Sequence, residues 1–472
     1  MSETTQSVPV LALVKRNMIW LAPVLACILG VLMWQSGWPV NAAMTAALTL
    51  LCALWWMFEP IPIPATSLIP LGVFPLLGIL SPKDVALAYG SPLIILLMGG
   101  AMLSKAMEKS GAHRRVALGM VGLFGGGSQR RLVLGFMAAS ALLSMWISNT
   151  ATTLMLLPVA LAVLEKSDDR KLMIALLLGI AYAASIGGLG TPIGTPANVI
   201  MMQAYQDATG VELTFVDWMQ WSLPVVILLV PLAGFWLSRK LGTDTSMLEL
   251  PELGGWRKAE RRVMLIFALT ALAWITLKGP SGGWGQWLPT ANYGSVALFA
   301  VLVLFIIPDG EGGRLLDWQS ANQIHWGVLL LFAGGIAIAK AFTATGLSQA
   351  IGEALAGFNQ LPVLLLLVLL GLGVAFLTEV TSNTATATLL MPILAATAIA
   401  AEMEPALIML PAALASSCAF MLPVATAPNA IVFGTGQVRI ADMVSNGFAI
   451  NLIAVLVISG CSFVLLTLGA FG

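Results

Sequence analysis

The stretch that decides the fold of this chain is ISNTATTLMLLP, which runs from Ile147 to Pro158 inside a long apolar segment. A nearly identical stretch, TSNTATATLLMP, runs from Thr381 to Pro392. Ser and Asn side chains hydrogen-bond nearby backbone and favour caps and turns over helix interiors. Each Ser-Asn-Thr triplet is therefore predicted to end one short helix and to cap the next. The backbone N–H and C=O groups freed by such a break must face protein, water or a ligand, because lipid cannot satisfy them.

The surrounding composition is typical of a polytopic membrane protein. Of 472 residues, 59% are hydrophobic and 9% are charged, and the mean hydropathy is +0.94, whereas soluble domains carry about 25% charged residues. The formal net charge of zero gives no reason to expect a nucleic-acid partner. The sequence shows no carboxylate pair, Ser/His/Asp set or His/Cys ligand cluster. We therefore expect neither an enzyme nor an organic cofactor.

The apolar runs predict an all-α fold in which the helical segments outnumber the complete membrane spans. Apolar runs such as Met18–Trp34 and Leu223–Leu237 approach the length of a span and are good candidates for crossing the bilayer. Several further runs are broken up by Gly, Pro or hydroxyl residues. Some pieces must then be half-helices or hairpins that do not cross the bilayer. Lys15 and Arg16 precede the first run, which is predicted to be a retained transmembrane helix with its N-terminus in the cytoplasm.

Three blocks of sequence recur in one order and at nearly one separation. LLMGGAMLSKAMEKSG (Leu96–Gly111) aligns with LFAGGIAIAKAFTATG (Leu331–Gly346), and TPIGTPANVI (Thr191–Ile200) aligns with LPVATAPNAI (Leu422–Ile431). The Ser-Asn-Thr triplets lie between these blocks. This duplication predicts a transporter in which the substrate binds between two repeats, at interrupted helices. The predicted divisions are a first repeat half, residues 1–238, a basic cytoplasmic connection, residues 239–262, and a second repeat half, residues 263–472.

The duplicated breaks combine two kinds of binding group. A half-helix N-terminus offers free N–H groups and positive partial charge, which suit a carboxylate or a sulfate. Freed carbonyls together with Ser, Thr and Asn oxygens suit Na⁺. The Gly/Pro blocks cannot form regular helix and are predicted to be loops that bring Thr195 or Thr426 to the same place. A single triplet would more often join helices by hydrogen bonds, but two aligned copies favour a binding site.

Charged residues within the apolar segments leave several roles open. Glu379 lies three residues before Ser382 and could bind a cation, carry a proton or accept hydrogen bonds from loop amides. The last role is favoured, because the first repeat has Met145 at the corresponding place. Lys105 and Lys340 follow the paired glycines; they either extend to the membrane interface or add positive field to the site.

With these blocks, the chain resembles the divalent anion/Na⁺ symporter family, the dicarboxylate and citrate transporters related to the INDY proteins. The resemblance covers nearly the whole chain. It is carried by both Ser-Asn-Thr-Ala-Thr signatures, the Ile193–Pro196 and Val424–Thr426 loops, the paired glycines and the early stretch Pro60–Ser67. It implies about eleven transmembrane helices, two inverted repeats with re-entrant hairpins, and a homodimer whose transport part moves like an elevator. It places the hairpins at the Gly99-Gly100 and Gly334-Gly335 segments.

The resemblance also implies binding roles for individual residues. The implied ligands of one Na⁺ are Ser144, Ser148, Asn149 and the Gly194 carbonyl. Those of the other Na⁺ are Thr378, Asn383 and the carbonyls of Thr381 and Ala425. The implied substrate-binding residues are Ser148, Asn149, Thr150, Thr195, Ser382, Asn383, Thr384 and Thr426. Many relatives have Pro directly after the second-loop Thr, where this chain has Ala427, so the choice among anions stays open.

The resulting expectation is an integral protein of the lipid bilayer, in a bacterial inner membrane, that imports di- or tricarboxylates of the succinate, malate, fumarate or citrate class. The predicted site has no obvious Arg, so Na⁺ would supply the positive charge that the small anionic substrate needs. Na⁺ is thus expected as the coupling ion. A Na⁺-independent dicarboxylate exchanger and a sulfate transporter are the alternatives.

Overall fold

The structure is a computed structural model that describes residues 10–124, 128–165, 167, 169–242, 254–278, 283–350 and 361–470. Its regular elements in these ranges are helices, with one isolated β-bridge between Pro308 and Arg314. The first helices are α1 (Val10–Gln35), α2 (Val40–Phe58), α3 (Ile63–Thr66), α4 (Leu68–Leu76), α5 (Pro82–Tyr89), α6 (Pro92–Ser110), α7 (Ala112–Phe124), α8 (Gln129–Ser144), α9 (Asn149–Leu164), α10 (Arg170–Gly187), α11 (Pro196–Thr209) and α12 (Phe215–Ser238). The later helices are α13 (Lys258–Leu277), α14 (Tyr293–Ile306), α15 (Trp318–Ala321), α16 (Trp326–Thr345), α17 (Val363–Thr378), α18 (Asn383–Ala400), α19 (Pro405–Ser416), α20 (Ala427–Gly434) and α21 (Ile440–Thr467).

The helices confirm the predicted all-α membrane fold. Among the described residues, eight helical segments are long and apolar enough to cross a membrane. The 19 residues of α2 extend about 28 Å at 1.5 Å per residue, close to the hydrocarbon thickness of about 30 Å. By contrast, α8, α9 and α17 have 16 residues each, or about 24 Å, as expected for helices that do not span alone. Residues 243–253 of the predicted connection lie outside the described ranges.

The first Ser-Asn-Thr triplet lies at the tip of a helical hairpin. Gly179 packs against Met137, and Gly187 packs against Ala141, so α10 and α8 run in the same direction. The start of α9 lies beside Gly188, at the end of α10, and the end of α9 connects to the start of α10 by a short segment. Therefore α9 runs antiparallel to both α10 and α8. The chain reverses direction between α8 and α9.

The second triplet lies at the tip of a matching hairpin formed by α17 and α18. Thr378 at the end of α17 donates to the carbonyl of Ser416 at the end of α19, at 2.8 Å, and the two helices pack along each other. Therefore α17 and α19 run in the same direction. A short turn joins α18 to α19, and the two helices pack along each other. Both triplets thus end one helix and begin the next, as predicted, at a reversal of the chain.

The prediction that the paired glycines mark the hairpins is wrong. Gly99 and Gly100 lie inside the continuous helix α6, and Gly334 and Gly335 lie inside α16. These glycines serve close helix packing instead: a Cβ atom on Gly99 would lie 2.5 Å from the Ala297 side chain. The two aligned segments nevertheless share a structure, because both are single helices that end at a left-handed Gly with φ of 76°. Glycine adopts this conformation readily.

Each hairpin packs against a helix that stops beside its tip. Helix α10 ends at Gly187, and a 3₁₀ turn and a loop lead to α11; α19 ends at Ser416, and a loop leads to α20. These are the two loops predicted from the Gly/Pro blocks. The side-chain amides of Asn198 and Asn429 fill the loops by donating to their carbonyls, at 2.7–3.4 Å. The freed backbone is thereby satisfied within the protein.

With the exception of α7, the helices fall into two sets that flank a cavity. We call α8–α12 and α17–α21 the core helices; within this set α10 contacts α8, α9, α12 and α20, and α19 contacts α17, α18 and α21. We call α1–α6 and α13–α16 the frame helices; within this set α6 contacts α14, and α16 contacts α2, α4 and α5.

The two hairpins point in opposite directions, so that the ends away from their tips lie at opposite ends of the bundle. At one end of α12, Arg130 of α8 donates to the carbonyl of Leu241; we call this the basic end. At the other end of α12, the turn between α18 and α19 places Glu404 against the hydroxyl of Tyr205, whose ring contacts Trp221. The basic end also carries Arg114, Arg115, Arg131, Arg239 and Arg257.

Candidate functional site

A cavity of about 910 Å³ lies between the frame helices and the core helices. Its core wall consists of both hairpin tips and both loops, and its frame wall consists of the end of α2, of α6 and of the start of α16. The wall includes Ser148, Asn149, Thr150, Thr195, Ser382, Asn383, Thr384 and Thr426, as well as Gly194, Thr381 and Ala425. Ser144 and Thr378 are fully buried behind this wall. The structure therefore brings all the predicted site residues of both halves together.

Four core helices begin at this cavity. The N-caps of α9, α11, α18 and α20 are Ser148, Thr195, Ser382 and Thr426. A helix N-terminus leaves backbone N–H groups without intrahelical acceptors and carries a positive partial charge of roughly half an elementary charge. Their convergence makes the core wall attractive to an anion without any cationic side chain.

The hydroxyls at these N-termini differ in what they already bind. Ser148 Oγ accepts from the backbone N–H of Ala151 at 3.2 Å, and Thr426 Oγ1 accepts from the backbone N–H of Asn429 at 3.3 Å. Four other hydroxyls of the core wall make no hydrogen bond within the described ranges, namely those of Thr150, Thr195, Ser382 and Thr384. These side chains therefore have donors free for a bound ligand.

Oxygen atoms of the first hairpin tip and loop converge beside Gly188. Ser144 Oγ donates to Asn149 Oδ1 at 2.6 Å. Asn149 Oδ1 and the Gly194 carbonyl oxygen lie 2.7 and 3.2 Å from the position that a Cβ atom on Gly188 would occupy. Only a glycine allows the hairpin tip and the loop to approach this closely. Carbonyl, amide and hydroxyl oxygens at a helix break are ligands that Na⁺ takes in transporters.

The second half repeats this arrangement with Thr378 at the place of Ser144. Thr378 Oγ1 lies 2.7 Å from Asn383 Oδ1 and 2.8 Å from the Ser416 carbonyl oxygen. Ala425 lines the same wall. A hydroxyl thus supports the triplet asparagine from behind in both halves, which orients the amide oxygen toward its loop.

Glu379 joins the second hairpin tip to the second loop. Its buried carboxylate accepts from the backbone N–H groups of Phe420, Met421 and Leu422 at 2.7, 2.9 and 3.0 Å, and from Asn451 Nδ2 at 2.7 Å. The structure confirms the structural acceptor role. In the first half the hydroxyl of Thr191 instead donates to the carbonyl at the corresponding tip position.

The cavity offers an anion little positive side-chain charge. None of its described lining residues is an arginine. Lys105 lies 2.7 Å from Glu108 in an ion pair, so its charge is largely balanced, and Glu59 and His325 line the same wall. An anion with two carboxylates would therefore depend on the helix N-termini and on any cation bound beside them.

Sequence reasoning missed the two asparagines that order the loops. Asn198 Nδ2 donates to the carbonyls of Gly188 and Thr191, and Asn429 Nδ2 donates to those of Ala419 and Leu422. Both side chains are fully buried. The signal was present, since they occupy one position of the aligned TPIGTPANVI and LPVATAPNAI blocks.

Comparison with known proteins identifies relatives along most of the chain. A model of the citrate transporter family matches residues 53–410. The sodium-dependent dicarboxylate transporter SdcS of Staphylococcus saprophyticus is 41% identical over 436 residues, covering 87% of this chain and 84% of that protein. SdcS of Staphylococcus aureus is 40% identical over 444 residues, covering 89% and 85%.

Two solved transporter structures share the fold. The YdaH transporter of Alcanivorax borkumensis aligns with a TM-score of 0.59 and 15% identity, covering 91% of this chain and 99% of that one. MtrF of Neisseria gonorrhoeae, from a class of antimetabolite efflux pumps, aligns with a TM-score of 0.59 and 15% identity, covering 95% and 97%. The predicted family relationship is thus confirmed: the chain belongs to the citrate transporter family and is a multi-pass membrane transporter rather than an enzyme.

Proposed function

We propose that the protein is a secondary active transporter that couples the movement of a di- or tricarboxylate to Na⁺. The observation that carries this proposal is the convergence of four helix N-termini on a cavity whose described lining has no arginine and whose lysine is ion-paired. Two oxygen clusters, centred on Asn149 and Asn383, lie beside those N-termini. The relatives named as sodium-dependent dicarboxylate transporters support the same substrate class.

The two oxygen clusters are proposed as the sodium sites. The first site would use Ser144, Ser148, Asn149 and the Gly194 carbonyl, and the second would use Thr378, Asn383 and the carbonyls of Thr381 and Ala425. A cation at each would add positive charge next to the helix N-termini, where the anion binds. Na⁺ therefore increases the affinity for the substrate, and by linkage the substrate increases the affinity for Na⁺.

The substrate carboxylates are proposed to bind between the two hairpin tips. Donors come from the N-termini of α9 and α18, with further contacts from the loop N-caps. The proposed substrate contacts are Ser148, Asn149, Thr150, Thr195, Ser382, Asn383, Thr384 and Thr426. The unengaged hydroxyls of Thr150 and Thr384 support this assignment most directly.

The fold supports an alternating-access mechanism. We propose that the hairpins belong to two inverted repeats, residues 1–238 and 263–472, since they open toward opposite ends of the bundle. The core helices would carry the site past the frame helices like an elevator, within a homodimer of about eleven spans per chain. The basic end would face the cytoplasm of a bacterium by the positive-inside tendency, with the N-terminus on that side.

Uptake into proteoliposomes tests this function. An inward Na⁺ gradient should drive accumulation of radiolabelled succinate or citrate, and sulfate should compete poorly. Equal uptake without Na⁺ would favour the exchanger, and strong competition by sulfate would favour a sulfate transporter.

Substitution of the triplet asparagines tests the site. Asn149→Ala or Asn383→Ala should abolish Na⁺-driven uptake, because each removes the amide oxygen of one cluster. Asn41→Ala, an exposed position of α2 away from the cavity, should leave uptake unchanged. Full uptake by either triplet variant, at equal amounts of folded protein, would refute the site assignment.

A further inference from the structure

A second polar cavity lies at the end of the bundle opposite the basic end. It has a volume of about 580 Å³, and its lining includes Ser91, Gln206, Asp207, Asn292 and Lys340. The ion pair between Glu212 and Lys278, at 2.6 Å, lies at its edge. A small pocket of about 20 Å³ lies between the two cavities. It shares Leu97 and Phe332 with the first cavity, and Leu93, Gln203, Asp207 and Ile336 with the second.

The aligned lysines of the two repeats lie in different cavities. Helix α6 starts at the second cavity and reaches the first, where Lys105 lies; α16 starts at the first cavity and reaches the second, where Lys340 lies. Both helices belong to the frame set. The two aligned lysines thus lie in cavities at opposite ends of the bundle, on helices that run in opposite directions. We call the second cavity, which contains Lys340, the vestibule of its end.

The two lysines differ in their partners. Lys105 is paired with Glu108 on the next turn, whereas the position that aligns with Glu108 is Thr343. Lys340 makes neither an ion pair within 4.0 Å nor a hydrogen bond to any described residue. Asp207 of the core helix α11 shares its cavity and accepts instead from Gln203 at 2.9 Å.

We propose that Lys340 is the carboxylate-recognition residue of the vestibule at this end, and that Asp207 is its counterion while the vestibule is separated from the site. This inference rests on the proposed function. When the core helices move the site toward this end, α11 takes Asp207 with it, and the charge of Lys340 becomes available to an incoming carboxylate. The field of one lysine in a narrow cavity raises the local anion concentration and is weakened by salt.

Sided transport assays test the inference. Succinate uptake is measured in intact bacterial cells, which present the end of Lys340, and in inverted membrane vesicles, which present the basic end. Lys340→Ala should raise KM about tenfold in cells, the effect of losing one charged hydrogen-bond partner, with KM in inverted vesicles unchanged. Lys340→Arg keeps the charge and should restore KM in cells. At constant Na⁺, added choline chloride should raise KM in cells for the unaltered protein but not for Lys340→Ala.

The outcomes separate this inference from the proposed function. An unchanged KM in cells for Lys340→Ala, or a rise confined to inverted vesicles, would overturn the role of Lys340 while Na⁺-driven transport stands. Asp207→Asn should lower KM in cells, because the counterion is lost; an increased KM would contradict the counterion role. Absence of Na⁺-driven flux in the unaltered protein would instead refute the proposed function.

Discussion

Gly188 shows how one missing side chain allows a binding site to form. Its backbone lies where the first hairpin tip and the first loop meet, and Asn149 Oδ1 lies 2.7 Å from the position of an absent Cβ. The conformation of Gly188 is ordinary helical backbone, with φ of −55° and ψ of −20°. Space, not backbone strain, therefore requires glycine here.

Gly188→Ala should separate the tip from the loop and lower the apparent Na⁺ affinity about tenfold or more, because overpacking of this size costs about 1–3 kcal/mol. The Na⁺ concentration for half-maximal succinate uptake measures this effect. Gly373→Ala, in α17 with no atom near the added Cβ, is the matched control and should leave Na⁺ dependence unchanged. An unaltered Na⁺ dependence in Gly188→Ala would show that this contact does not form the ion site.

Between the second hairpin and the second loop, a charged network replaces the hydroxyl of the first half. Glu379 supplies a carboxylate that accepts three backbone N–H groups and the Asn451 amide. A carboxylate with several donors is well stabilised even when it is buried. The hairpin tip and the loop on this side should therefore unfold as one unit.

Glu379→Gln should destabilise the protein by roughly 1–3 kcal/mol, because the new amide N–H₂ would face backbone donors that lose their acceptor. The thermal unfolding of the purified protein in detergent, with and without Na⁺, measures this change. Glu402→Gln, at an exposed turn after α18, is the control for removal of an acidic charge. Equal unfolding temperatures for the two variants would contradict the proposed coupling of tip and loop.

At the scale of the whole molecule, the second glycine of each pair lies where a frame helix meets a core element. A Cβ atom on Gly100 would lie 3.6 Å from Ile193 Cβ, and one on Gly335 would meet the Thr388 side chain. Both glycines lie on frame helices, and both neighbours lie on core elements. Sliding of one set past the other must change these contacts.

A disulfide between Gly100→Cys and Ile193→Cys tests that motion, since the Cβ separation lies within the disulfide range of about 3.5–4.5 Å. In a variant that lacks the four native cysteines, oxidation should stop transport, and reduction should restore it. The control pair Gly30→Cys and Ala47→Cys joins α1 to α2 within the frame set and should not stop transport. Full transport by the oxidised Gly100–Ile193 pair would refute a relative movement of the two sets.

Much of this site could be predicted because it is duplicated. The pairing of Asn149 with Asn383, and of the two Gly/Pro loops, identified residues that the structure gathers around one cavity. The same comparison could have identified Asn198 and Asn429, whose importance depends on hydrogen bonds to loop carbonyls. Local sequence does not reveal which carbonyls a helix break will leave nearby, so their role became visible only in the folded chain.

The sequence by itself determined the membrane-spanning character and the places where helices stop. An apolar composition shows that the helices lie in lipid, and the preference of Ser and Asn for helix caps depends on a few neighbouring residues. The membrane location and the helix ends can therefore be predicted from local sequence. Only the tertiary structure decided that the chain reverses at each Ser-Asn-Thr triplet and that the paired glycines lie inside continuous helices. A triplet can cap the next helix in either direction; the packing of α8 and α9 on α10, and of α17 and α18 on α19, selects the reversal.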